Sequence, residues 1–160
     1  MKFILNQKKG FTVIEIMVVV AIVLSAFVGI LGLLTFSLQV STLVRETSQA
    51  NFLAQDTLEA VRSFRDGTAW NINGLGTLTM GISYYPGKTG GSPPAWVIVS
   101  GEETVNGFSR KVVFAAVMRD ANGNIVTSGG TSDPDTKKAT ATVSWKGKKV
   151  EIVTYLANWK

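Results

Sequence analysis

From residue 16 to residue 44 the chain carries no charged side chain, and from 16 to 34 its only polar one is Ser25. At about 1.5 Å per residue, residues 16–34 make about 28 Å of helix, close to the roughly 30 Å hydrocarbon thickness of a bilayer. A helix apolar on every side has no face to offer water, so it must be covered all round. The chain has 160 residues, and one such run near its N-terminus leaves room for a single small folded domain behind it. A cleaved secretory signal has a shorter apolar region, about 7–15 residues, ending at a small-residue site. Here the run is longer and passes into amphipathic helix with no such site, which argues for a retained spanning helix.

Charge sets the orientation. Lys2, Lys8 and Lys9 precede the apolar run, and the positive-inside rule places them in the cytoplasm and the C-terminal domain outside. Removing those three lysines from the 16 basic residues leaves 13 against 11 acidic ones, so the overall +5 says little about the domain itself. The sequence has no cysteine and no histidine, which excludes disulfides, thiolate nucleophiles, Cys/His zinc sites and His-based acid–base catalysis. No acid, base and nucleophile set converges elsewhere. An enzyme is therefore not expected, and no cofactor is implied.

Past residue 44 the helical signal continues but becomes one-sided. Ala50, Leu53, Ala54, Val61 and Phe64 fall on one stripe at spacings of three, four and seven, with Glu46, Gln49, Asp56, Glu59, Arg62 and Arg65 between them as a solvated face. Glu59–Arg62 and Arg62–Asp66 are spaced to pair along the helix. Gly67 is placed as the residue that stops it. The pattern predicts one nearly continuous helix from about residue 12 to 66, about 80 Å long.

The remainder turns to Gly, Thr, Ser and β-branched residues. Alternation of Leu78, Met80, Ile82 and Tyr84 predicts a strand, as do residues 95–100 and 108–119, with 125–127 as a short returning partner. Residues 138–145 and 149–156 flank Lys146-Gly147-Lys148, a tight hairpin connection. The expected class is α+β: a long N-terminal helix, transmembrane in its first half and amphipathic in its second, packed on an antiparallel sheet of about four or five strands. The 50–64 stripe is the available cover for that sheet.

One residue conflicts with a simple membrane anchor. Glu15 sits at the start of the apolar run, where a charge costs about 2.5–3.5 kcal/mol on insertion scales. The surrounding segment, KKGFTVIEIMVVVAI, has a short basic leader, Gly10, Phe11, Thr12, an aliphatic pair, Glu15 and then the apolar run. It resembles the prepilin-type cleavage and methylation motif of type IV pilins and of type II secretion pseudopilins. The resemblance covers about residues 8–38. AQDTLEAVRSFRD also looks like the helix of minor pilins of the pilus-modification type.

The resemblance implies a leader at 1–10, a helix at 11–66 (about 11–38 membrane-spanning) and a β-sheet domain at 67–160. It implies cleavage between Gly10 and Phe11 by a prepilin peptidase and N-methylation of Phe11. It further implies assembly in which the Glu15 carboxylate of one copy meets the Phe11 ammonium of the next. The implied partners are other pilin subunits, the peptidase/methylase, an inner-membrane assembly platform, and membrane lipid before assembly. The implied location is the inner membrane as a single-pass protein, then an extracellular or periplasmic filament. Within the family the expectation is a minor pilin of a type IV pilus. The alternative is a pseudopilin of a type II secretion or DNA-uptake system.

Other features carry weaker signals. Asp120, Asn122 and Asn124 in DANGN suggest a calcium loop, but Ile125 stands where an EF-hand needs Gly and Thr131 where it needs Glu. A plain β-turn is expected there. Asp133 and Asp135, in the loop SGGTSDPDT, are a second weak candidate for a hard cation, and no metal is required. Lys146, Lys148 and Lys149 beside Trp145 have the elements of a nucleic-acid contact, yet read more simply as a solvated hairpin tip. Nucleic acid is not an expected partner. Trp70, Trp96, Trp145 and Trp159 are expected in the core or on the sheet face.

Overall fold

The computed structural model describes residues 10–159. Residues 1–9, which hold most of the expected 1–10 leader with Lys2, Lys8 and Lys9, lie outside the described residues, as does Lys160. Two compact units divide at Arg45/Glu46. Helix α1, Val13–Gly67, contributes to both.

In the first unit every described residue up to Val44 is exposed, including a continuous series of large apolar side chains from Phe11 to Val44. The helix there is long and apolar enough to cross a membrane.

In the second unit α1 lies on an antiparallel sheet of seven strands: β1 Ser83–Lys88, β2 Trp96–Ser100, β3 Glu103–Val105, β4 Phe108–Arg119, β5 Ile125–Val126, β6 Thr131–Trp145 and β7 Lys148–Ala157. The order is β2-β1-β4-β6-β7. One edge of β4 pairs with β6 along its length, and the other is divided among β3, β1 and β5. The predicted stripe is the cover: Ala50, Ala54, Val61 and Phe64, together with Leu58, which the stripe did not include, join Val112, Phe114, Ala139, Ala141, Val143 and Leu156 in one core, while Leu53 of the stripe is only partly buried against it. Ala50, Ala54, Ala139 and Ala141 have no exposed surface, so backbone approaches backbone closely and the bulk comes from Phe114, Leu75 and Leu156. Tyr84 and Phe114 stack tilted at 5.8 Å, and Phe108 and Trp145 at 5.6 Å.

Several local expectations are corrected. The strand predicted over 78–84 begins only at Ser83, after a 3-10 turn at Leu75–Thr77. Side chains take up the backbone groups that a ladder would use. Tyr84 Oη accepts from Thr79 N–H (3.0 Å) and donates to Thr79 C=O (3.2 Å), while Lys137 Nζ donates to Leu78 C=O (3.0 Å). The loop predicted at 128–136 is largely strand, because β6 starts at Thr131 and absorbs Pro134 at a register jump opposite Ala116/Val117. A bulge is where a sheet tolerates a missing N–H. Strand β3 was not expected. Its hairpin turns on Asn106-Gly107, at φ 52° and 83°, the mirror-image turn that Asn-Gly favours. The predicted 146–148 turn is the same kind, Lys146-Gly147 at φ 43° and 74°, with Lys148 already in β7.

Gly67 is still helical and outside the left-handed region, so it is not the predicted stop. Thr68 performs that task, its Oγ1 donating to Phe64 C=O at 2.7 Å and its N–H to Arg65 C=O at 3.4 Å. Glu46 and Asp56 are not on a free solvated face either. Glu46 accepts from Trp145 Nε1 (3.1 Å) and Lys146 Nζ (2.6 Å), and Asp56 from Arg110 Nη1 (2.9 Å). Arg110 also meets Glu103, so one buried guanidinium links α1, β4 and β3. Arg62 pairs with Glu59 as its spacing predicts, while Asp66 is held by Arg65 Nε and Trp159 Nε1. Trp70 and Trp145 are buried and Trp96 is partly so, but Trp159 is 64% exposed.

Candidate processing and assembly site

Gly10, Phe11 and Thr12 precede α1, and Thr12 caps it. Glu15 N–H donates to Thr12 C=O at 3.1 Å and to Thr12 Oγ1 at 3.3 Å, and Ile16 N–H reaches the same carbonyl at 3.2 Å. Thr12 Oγ1 thus satisfies one of the helix's orphan N–H groups. Glu15 occupies the third helical position, the spacing of a capping box, and its carboxylate lies at the positive end of the helix dipole. Thr12 is absent from the sequence-based expectations as a cap, although Thr-x-x-Glu carries the signal.

The predicted site residues fall together. Phe11, Glu15, Ile16, Val19 and Val20 line an open apolar cleft of about 240 Å³, with Glu15 its one ionisable side chain. The other polar side chain between residues 13 and 34, Ser25, donates its hydroxyl to Ile22 C=O at 2.8 Å. Among the described residues the Glu15 carboxylate has no hydrogen-bond or ion-pair partner, only the helix dipole at its end. Any apolar environment that covers the helix must answer one negative charge at that point.

Gly10 is informative for the opposite reason. A Cβ built on it meets nothing within 4 Å, and its φ lies outside the left-handed region. Nothing in the described fold requires glycine there.

The weak cation candidates are separate and already engaged. Asp120 Oδ1 accepts from Asn122 N–H (2.9 Å) and Asn124 N–H (2.8 Å), forming the β-turn. Hydrogen bonding from Asn124 holds its carboxyl below the usual range. Asp133 lies on β6 with Oδ2 at 2.6 Å from Arg119 Nε, and that bond lowers its pKa. Asp135 accepts from Asn158 Nδ2 at 3.0 Å. Among the described residues no three metal-capable side chains cluster. At the hairpin tip Trp145 is buried with its N–H on Glu46, Lys146 is paired to the same carboxylate, and Lys149 pairs with Glu151 at 3.0 Å. The indole is not presented for stacking.

Residues 5–31 match the prokaryotic N-terminal methylation motif, the signature of type IV pilins and pseudopilins. Among curated proteins and among solved structures, nothing matches the chain.

Proposed function

We propose that the chain is a structural subunit, of the minor-pilin kind, of a type IV pilus or related filament. A prepilin peptidase cuts it between Gly10 and Phe11, the new Phe11 amine is methylated, and the subunit assembles through α1. The observation that carries this reading is one coincidence. The methylation motif at 5–31 overlies an exposed apolar helix whose first turn carries an acidic residue, Glu15, with no ion-pair partner among the described residues. Cleavage after Gly10 supplies the missing cation. In lipid the Phe11 ammonium and the Glu15 carboxylate are each costly, and between neighbouring subunits they satisfy each other. The pair then sets register, because a misplaced neighbour leaves a buried charge alone. The basic leader holds the cleavage site at the cytoplasmic face, and the 46–160 unit stands outside. The resemblance of AQDTLEAVRSFRD to minor-pilin helices supports the minor subclass.

Mass spectrometry of the protein extracted from membranes tests the reading. The expected N-terminus is Phe11 bearing one methyl group. An intact Met1, or a cut beyond residue 34, contradicts it.

A further inference from the structure

Beyond β7 the chain is pinned twice. Asn158 N–H donates to Asp135 C=O at 2.7 Å and its Nδ2 to Asp135 Oδ1. Trp159 Nε1 donates to Asp66 Oδ1 at 3.2 Å, the same oxygen that accepts Arg65 Nε at 2.8 Å. The indole is thereby fixed by its edge while 64% of the residue remains exposed, and Ile72 beside it is 81% exposed. An open cleft of about 290 Å³ lies among Arg65, Trp70, Asn71, Ile72, Asn158 and Trp159.

The polar groups of this cleft have capacity to spare. Among the described residues no hydrogen bond uses Arg65 Nη1 or Nη2, the Asn71 carboxamide, or Asn158 Oδ1. A held indole face, an aliphatic side chain, guanidinium donors and two carboxamides suit a ligand that is apolar on one face and rich in hydroxyls at its rim. A full anion suits it poorly, since the Arg65 guanidinium already carries a carboxylate on its Nε. A lipid chain suits it poorly too, since the rim is polar. The volume is at the small end of the roughly 300–1,000 Å³ of ligand pockets, which fits about one ring.

We infer that this cleft is a carbohydrate site. One hexopyranose ring lies with its C–H face on Trp159, and its hydroxyls reach Arg65, Asn71 and Asn158. Arg65 and the carboxamides supply donors and acceptors in fixed positions, and the pinned indole supplies contact area with little ordering cost on binding.

The test uses the full chain, ¹⁵N-labelled, in a phosphocholine detergent so that no sugar headgroup competes. Methyl glucoside, methyl galactoside, methyl mannoside and N-acetylglucosamine are titrated separately, with acetate and uridine alongside. Trp159→Phe identifies the indole resonance. At least one sugar is expected to shift the Trp159 indole and the Asn71 and Asn158 amide resonances saturably, with a Kd of about 1 mM, typical of so small a ligand. Trp159→Ala and Asn71→Ala, both exposed positions, should weaken that binding about tenfold or more with near-UV circular dichroism unchanged, and Trp159→Phe should retain much of it. No saturable shift with any of the four sugars overturns the inference. So does a shift that survives Trp159→Ala, or tighter binding of acetate or uridine at the same resonances.

Discussion

Glu15 and Lys137 are charges placed where charge is expensive, and the chain treats them differently. Glu15 has its helix terminus and an open apolar cleft. Lys137 is 2% exposed, and its Nζ donates to Gly76 C=O at 3.2 Å and Leu78 C=O at 3.0 Å. Burial lowers its pKa below the ordinary 10.5. Above that lowered value the unfolded chain binds more protons at this site than the folded one, so this residue makes stability rise with pH until about 10.5, and below it the contribution is constant. Lys137→Met should destabilise the 46–160 unit by about 1–3 kcal/mol, because two carbonyls lose their donor even though a buried charge is removed. Urea titrations across alkaline pH check both points. The wild-type advantage over Lys137→Met should widen as pH rises toward 10.5, and a constant or shrinking gap would show that Lys137 is not buried in its charged form.

Among the elements, α1 from Glu46 onward carries the cover of the sheet. A fragment of residues 46–160 should be soluble, monomeric and mixed α/β by circular dichroism. Removing residues 46–67 as well should expose the face containing Val112, Phe114, Ala141 and Val143 and cause aggregation in size-exclusion chromatography. A monomeric 68–160 fragment would show that another element covers that face. The stripe was readable because a 3.6-residue period records which side is buried, and β4 because its residues alternate into a core. Residues 78–82 misled for a physical reason: their apolar alternation is real, but Tyr84 and Lys137 occupy their backbone groups. Strand β6 was shortened in the reading by Pro134, since nothing local announces a bulge. The methylation motif at 5–31 was legible because it is contiguous, and it is what put Gly10, Phe11 and Glu15 forward as candidates. The Trp159 cleft joins residues 93 positions apart, which no spacing rule reveals.

For the whole molecule, the exposed apolar surface of residues 11–44 needs a cover, which the proposed function assigns to lipid before assembly and to other subunits after it. Glu15 discriminates between those covers. In lipid its charge is costly, up to the roughly 2.5–3.5 kcal/mol of a charge at mid-membrane, so Glu15→Leu should insert as well as wild type or better. Cleavage after Gly10 should also persist, because in the proposed function it precedes assembly. In the assembly proposed above the same carboxylate would meet the Phe11 ammonium, and removing it would leave that cation buried without a partner, a loss of about 3–5 kcal/mol for a buried pair. The deciding measurement is the ratio of sheared-filament protein to membrane protein for Glu15→Leu and wild type, at equal processing confirmed by mass. A strongly reduced ratio for the variant is the predicted result, and a ratio equal to wild type would contradict assembly through Glu15.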